Sequence, residues 1–181
     1  MKTSKLNLVL ILCLALTTVS FAQTKMVGGA EMYPTKNIVE NAVNSKDHTT
    51  LVAAVKAADL VETLSGKGPF TVFAPVNSAF AALPKGTVET LLKPENKAKL
   101  QAVLTYHVIP GKLNAKDVLA SIKKGNGKAE LKTVNGSILT FMLDGKQVKV
   151  KDTAGNIATV TIADVNQSNG VIHVIDTVLL P

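Results

Sequence analysis

Two stretches decide the fold of this chain: GPFTVFAPVNSAF at residues 68–80 and GVIHVIDTVLLP at residues 170–181. Each is an apolar run bounded by glycine or proline, which is typical of a buried strand between turns. Each run also contains polar residues, chiefly Thr71 and Asn77 in the first and His173 and Asp176 in the second. Because a buried polar side chain needs hydrogen-bond partners, we interpret Asn77, His173 and Asp176 as residues that hold the fold together. We also predict that Asn77 caps a short helix over residues 78–83, since its side-chain oxygen can accept from a free N–H group of the first turn.

The order of the predicted elements indicates an α+β fold. Residues 37–122 show the spacing of short helices, interrupted by predicted strands at 70–74 and 106–109. From residue 129 onward the pattern is that of strands, with the hairpin dipeptides Asn135-Gly136 and Asp144-Gly145 between the first of them. The last two predicted strands cover residues 157–162 and 171–180. We therefore expect a largely antiparallel sheet with helices packed beside it.

The first 36 residues are predicted to lie outside the folded domain. Lys2 and Lys5 precede an apolar run at residues 8–16, and small residues lead up to Ala22, which is the pattern of a signal peptide over residues 1–22. Residues 23–36 show no periodicity and are expected to form a flexible arm. We thus predict cleavage near Ala22, a domain over residues 37–181, and a secreted, periplasmic or cell-surface location. The apolar run is too short for an integral membrane span.

The composition of the chain excludes several classes of function. The single cysteine, Cys13, lies in the predicted signal peptide, so the mature chain has no thiol for a disulfide or a metal site. All 20 basic residues are lysine, and removal of the leader leaves 18 lysines against 13 acids. A surface with no arginine and few aromatic residues is poorly suited to nucleic acid. It is compatible with weak attraction to anionic envelope polymers or lipids.

Three motifs occur in a characteristic order: TVFAPVNSAF at 71–80, YHVIPG at 106–111 and NGVIHVID at 169–176. Together they resemble the fasciclin (FAS1) domain over residues 37–181. The resemblance implies a wedge, in which a sandwich-like β core of about seven strands packs against several short α-helices. Motif residues expected to be structural are Thr71, Pro75, Asn77, Gly170, His173 and Asp176.

The same resemblance implies a role in adhesion or binding. In animal members a Tyr-His motif is held to contact integrins, and the matching residues here are Tyr106 and His107. A second motif, Asp-Ile, corresponds to Asp164 and Val165. We predict that these four residues form a partner-binding surface, with the lysine-rich region at 112–132 nearby. The predicted partner is a protein or an envelope polymer, and the sequence favours no particular oligomeric state.

The sequence contains no pattern that predicts an enzyme. Ser78 and Ser168 lie outside any Gly-x-Ser-x-Gly motif, the acidic residues occur singly, and no zinc or calcium motif is present. On a strand, His173 and Asp176 would point to opposite faces, so they do not form an acid–base pair. We predict no catalytic site, no metal and no cofactor, and we interpret His107 and His173 as buried, hydrogen-bonded histidines.

Two functions remain open from the sequence. The first is a non-catalytic adhesion module at the cell surface or in the periplasm. The second is a carrier that holds a small molecule or lipid in a cleft between the sheet and the helices. A continuous apolar pocket with a few polar groups would favour the carrier, and a filled core would favour the adhesion module.

Overall fold

The computed structural model describes residues 24–181, so the predicted signal peptide and Cys13 lie outside the described residues. The helices are α1 (Ile38–Ala42), α2 (Thr49–Ala57), α3 (Val61–Ser65), α4 (Asn77–Ala81), α5 (Thr87–Leu91), α6 (Lys97–Tyr106) and α7 (Ala115–Lys124), with 3-10 turns at Lys46–His48 and Pro94–Asn96. The strands are β1 (Lys25–Val27), β2 (Ala30–Met32), β3 (Phe70–Pro75), β4 (Val108–Pro110), β5 (Lys128–Lys132), β6 (Ile138–Asp144), β7 (Gln147–Lys151), β8 (Ile157–Gln167) and β9 (Gly170–Ile175). The α+β prediction is confirmed.

Seven of the strands form one sheet in the order β4-β3-β9-β8-β7-β6-β5. The two stretches that decide the fold lie side by side in it, because β3 and β9 pair in parallel from Phe70 opposite Gly170 to Pro75 opposite Ile175. The other neighbouring strands are antiparallel. A Cβ atom on Gly170 would lie 2.1 Å from the Phe70 carbonyl oxygen, so this close pairing requires glycine.

The paired strands separate two apolar cores. Because successive side chains on a strand point to opposite faces, Val72 and Ala74 face one core while Phe73 faces the other. The first core lies between these strands and the helices α1, α2, α3 and α6. The second lies between α7 and the inner faces of β5 to β8.

Three predicted boundaries are wrong. Residues 25–32 form the hairpin β1–β2 instead of a flexible arm, and Val27 and Met32 are only 4% and 2% exposed, so they belong to the first core. Tyr106 ends a helix and His107 follows it, so neither residue lies in a strand. The last strand stops at Ile175, whereas β8 continues to Gln167 with two irregularities in its register.

Candidate functional site

Tyr106, the first residue of the predicted binding motif, is fully buried at the end of α6. Its hydroxyl donates to the Ile138 carbonyl oxygen at 3.0 Å and accepts from the Thr153 backbone N–H at 3.1 Å. Burial raises the pKa of Tyr106 above its ordinary value. The side chain therefore joins the start of β6 to the turn between β7 and β8.

His107 is buried as well, with 3% of its surface exposed. Its Nδ1 donates to the Val103 carbonyl oxygen at 2.8 Å, and its Nε2 accepts from the Leu179 N–H at 3.0 Å. Both ring nitrogens are thus occupied, and the partners fix the neutral tautomer that carries its proton on Nδ1. Burial lowers the pKa of His107 to about 4, so the ring is neutral at pH 7.

Asp164 and Val165 lie in the irregular part of β8. Val165 is 1% exposed and belongs to the first core. Asp164 has a positive φ of 56°, and its carboxylate accepts from the Ala115 N–H at 2.6 Å, next to the start of α7. Its own N–H donates to Nδ1 of His173 at 3.3 Å, and His173 Nε2 donates to the Leu113 carbonyl oxygen at 2.8 Å. These bonds attach α7 to β8 and β9.

The four residues predicted to contact a partner do not form a surface. Tyr106, His107 and Val165 are buried, and the carboxylate of Asp164 is bound to the backbone of α7. His107 and Val165 line the same cavity in the first core, whereas the Tyr106 ring lies in the second. The prediction of a binding surface at these residues was wrong. Tyr106 and His107 lie at the end of α6 with their side chains in the interior, and β8 directs Val165 into the first core. The spacing of residues in the sequence does not show these directions.

Several motif residues make specific structural bonds. Thr71 donates its hydroxyl proton to the Gly111 carbonyl oxygen at 2.7 Å and accepts from the Leu113 N–H at 2.9 Å. Contrary to the prediction from the sequence, Asn77 does not cap α4, the helix that begins at its own position. Its Oδ1 instead accepts from the Thr50 N–H at 3.0 Å, so it caps α2 across the fold. Its amide also donates to the Lys46 carbonyl oxygen at 2.8 Å.

The remaining polar motif residues, His173 and Asp176, also make hydrogen bonds to the backbone. His173 is 2% exposed and stacks on Phe73 with ring centroids 5.3 Å apart, and burial lowers its pKa. Asp176 accepts from the Thr159 N–H at 2.7 Å. Burial acts to raise the pKa of Asp176, but hydrogen bonds from Thr159 and Thr177 outweigh it and hold the pKa below its ordinary value. Both side chains thus bond to backbone groups of other segments of the chain.

A charged face lies on the open side of the sheet. Strands β5 to β8 bury one set of side chains, including Leu139, Phe141 and Val150, against α7. The alternate set points away from the core. We call it the outer lysine face, and it consists of Lys128, Glu130, Lys132, Ile138, Thr140, Met142, Lys149, Lys151, Ile157 and Thr159.

The lysines of this face form two columns. Lys128 and Lys132 lie on β5, and Lys149 and Lys151 lie on β7. The strand between them, β6, contributes only uncharged residues to the face over positions 138–142. Because neighbouring strands are about 4.8 Å apart, the two columns are separated by about 10 Å.

The charges of the outer lysine face are largely free. Lys128, Lys132 and Lys151 are exposed, and within residues 24–181 none of them has an acidic partner within salt-bridge distance. Lys149 donates to the Thr159 hydroxyl at 2.9 Å and lies 3.9 Å from an Asp144 carboxylate oxygen. The face thus carries four lysines against one acidic residue of its own, Glu130, with Asp144 beside Lys149, so its net charge is positive.

Neither a metal centre nor a membrane helix is found in the part of the chain that the structure describes. Over residues 24–181, no group of three or more histidine, cysteine, aspartate or glutamate side chains is placed to hold a metal ion. None of the helices in that range is long and apolar enough to cross a membrane.

Comparison with known proteins identifies the family. The fasciclin domain model matches residues 46–181, which is most of the chain. The chain therefore belongs to the fasciclin domain family.

Relatives include bacterial and human proteins. The chain is 58% identical over 144 residues to protein sll1483 of Synechocystis, a match that covers 80% of this chain and 73% of that protein. It is 34% identical over 145 residues to immunogenic protein MPB70 of Mycobacterium bovis, covering 77% of this chain and 66% of that one. It is 35% identical over 135 residues to human periostin, covering 75% of this chain but only 15% of periostin.

The fold is also similar to a solved structure. A FAS1 domain pair from the insect cell adhesion molecule Fasciclin I matches with a TM-score of 0.51 and 26% identity. The match covers 78% of this chain and 43% of that one. The expected fasciclin fold is thereby confirmed.

Two features of the structure were not predicted from the sequence. The alternation of Val148 and Val150 with Lys149 and Lys151 indicates one exposed face on β7, but only the strand register shows that β5 aligns its lysines with it. The third histidine, His48, had no motif to mark it, and it lies buried in the first core.

Proposed function

We propose that this protein is a secreted, non-catalytic adhesion module that binds an anionic polymer of the cell envelope through its outer lysine face. The observation that carries the proposal is the pair of lysine columns on either side of β6, whose positions 138–142 carry no charge. An extended polymer that lies along β6 would have lysine ammonium groups of this face on both sides. The strands that carry these lysines, β5 and β7, each lie about 5 Å from β6.

The chemistry of the face favours a polymer with repeated negative charges. Lysine acts as a flexible point charge, whereas the fixed bidentate recognition of a single carboxylate or phosphate is characteristic of arginine. The three free ammonium groups of Lys128, Lys132 and Lys151 therefore suit a chain of carboxylates or phosphates better than one defined group. Ile138 and Ile157, which are 45% and 50% exposed, add apolar contact area at the same face.

A non-catalytic role is supported by the state of the buried polar side chains. Both ring nitrogens of His107 and of His173 are bonded to the backbone. The carboxylates of Asp164 and Asp176 accept from backbone N–H groups. In this proposal Tyr106, His107, Asp164 and Val165 do not touch the polymer. Tyr106 joins β6 to the turn after β7, next to the lysine columns, and the other three residues hold the remainder of the fold together.

An adhesive role and export are supported by two further observations. The insect structure of similar fold comes from a cell adhesion molecule. Residues 1–22 have the composition of a signal peptide. N-terminal sequencing of the exported protein tests the second point: the proposal predicts a mature chain that begins at Gln23, and retention of the first 22 residues would contradict it.

Binding is tested with an immobilised polyuronate such as alginate and two matched triple variants. In the first, Lys128, Lys132 and Lys151 are replaced by glutamine. The control replaces three exposed lysines elsewhere and changes the net charge equally: Lys67, Lys85 and Lys99.

We expect the first variant to bind more than tenfold more weakly, because a lysine near an anionic surface contributes up to about 1 kcal/mol. The control should change binding less than twofold at the same ionic strength. Equal losses in both variants would show that only net charge matters and would contradict the proposal. Capture of a protein by the face, with no retention on the polyuronate, would also contradict it.

A further inference from the structure

The first core contains an apolar cavity of about 60 Å³. It is far smaller than the pockets of about 300–1,000 Å³ that hold ligands of ordinary size, so it does not favour the lipid carrier over the adhesion module. Leu51 and Val55 of α2 line it on the helical side, and Val72 and Ile172 line it on the sheet side. Val27 of the hairpin β1–β2 also contributes to its wall. The hairpin precedes residue 46, where the match to the fasciclin domain begins, so part of the wall lies outside the matched residues.

One polar atom at this cavity has no partner. His48 lines the cavity and is 3% exposed, and its Nδ1 lies 2.9 Å from the Ser45 hydroxyl. Its Nε2 is buried and makes no hydrogen bond to any described residue. The Ala74 backbone lies nearby and acts to raise the pKa of His48, but burial dominates and lowers it. This interaction of the ring with the Ala74 backbone falls outside the geometry of a hydrogen bond at Nε2.

An unpartnered buried nitrogen is costly, by about 1–3 kcal/mol, and is uncommon in folded proteins. A single water molecule is a poor remedy, because a buried water needs two to four polar partners. The buried polar side chains at the wall are already paired, Ser45 with His48 and His107 with Val103 and Leu179. The remaining polar residue there, Lys56, is exposed to solvent. The cavity thus offers one hydrogen bond in otherwise apolar surroundings.

We propose that this cavity binds a small apolar molecule with a single hydroxyl group, whose hydroxyl bonds to Nε2 of His48. A hydroxyl group both donates and accepts, so it satisfies Nε2 in either tautomer of the ring. The hydrocarbon part fills the apolar space, as small apolar molecules fill dry cavities in other proteins. This site is distinct from the outer lysine face and does not depend on the adhesive role.

The wild-type protein tests the proposal with two probes of similar size, 1-propanol and propane-1,3-diol. The readout is the ¹⁵N chemical shift of the His48 ring during titration. We expect 1-propanol to shift the Nε2 resonance in a saturable manner. The diol must bury a second hydroxyl without a partner, so we expect it to bind at least fivefold more weakly.

Two variants separate the polar and apolar parts of the site. Ala74→Val adds two methyl groups at the cavity wall and should abolish propanol binding while the protein remains folded. His48→Phe removes the nitrogen and should weaken binding about fivefold, measured by shifts of the methyl groups at the wall. Absence of a saturable shift in the wild type, equal binding of the diol, or unchanged binding by Ala74→Val would each overturn the proposal.

Discussion

Replacement of Tyr106 by phenylalanine tests whether this residue is structural. The substitution keeps the ring in the second core but removes the hydroxyl that bridges the Ile138 carbonyl and the Thr153 N–H. Two hydrogen bonds are lost. Thr153 is exposed, so water can replace the bond to its N–H. The bond from the Tyr106 hydroxyl to the Ile138 carbonyl oxygen is less well compensated, because the ring that carries the hydroxyl is buried. We therefore expect a loss of about 1–2 kcal/mol in the free energy of unfolding.

For a domain of this size, 1 kcal/mol corresponds to about 2–4 °C in Tm, so Tyr106→Phe should lower Tm by roughly 2–8 °C. Calorimetry gives this shift, and polyuronate binding measured well below Tm should stay within twofold of the wild type. The matched control is Tyr33→Phe, because Tyr33 is exposed and its hydroxyl bonds only to exposed Glu31. An unchanged Tm with a large loss of binding would refute the structural assignment and support direct contact by Tyr106.

Three further predictions concern stability. His107 has a native pKa of about 4 and an unfolded pKa of about 6.5, so the free energy of unfolding of the wild type should fall by about 3 kcal/mol as pH falls from 6.5 to 4. The urea midpoint of His107→Gln should fall less steeply over this pH range, and equal slopes of midpoint against pH in the two proteins would contradict the assignment. Asn77→Ala should lower the free energy of unfolding by about 1–2 kcal/mol and weaken hydrogen-exchange protection at the start of α2, whereas Ser78→Ala should do neither. Loss of protection confined to α4 would contradict the capping of α2 by Asn77. Gly170→Ala should lower the free energy of unfolding, measured by chemical denaturation, by about 3 kcal/mol or more, because its Cβ would meet the Phe70 carbonyl oxygen. A change below about 1 kcal/mol would show that β3 and β9 can move apart to make room for the methyl group.

Much of the fold follows from local sequence patterns. The strands β3 and β9 come from two apolar runs with glycine or proline at their ends, although their parallel pairing does not, and the hairpin β6–β7 comes from Asp144-Gly145 between alternating segments. In these elements the local preference and the tertiary contacts agree, so the sequence alone is informative.

Other features depend on contacts between distant parts of the chain. The hairpin β1–β2 consists of two three-residue strands, too short for a periodic signal, and Val27 and Met32 stabilise it by packing into the first core. Asn77 was expected to cap the helix that begins at its own position, but tertiary packing brings it to α2 instead. Likewise, the burial of His48 next to a cavity follows from how α2, the hairpin and β3 pack together.

The central claim, that the outer lysine face binds an anionic polymer, is tested most directly by observing the lysine side chains themselves. Side-chain ammonium resonances of the wild-type protein are recorded by NMR during titration with a soluble polyuronate. The account predicts the largest shifts at Lys128, Lys132 and Lys151, with little change at Lys67 and Lys85. Shifts of equal size at all exposed lysines, or the largest shifts outside strands β5 to β7, would contradict it.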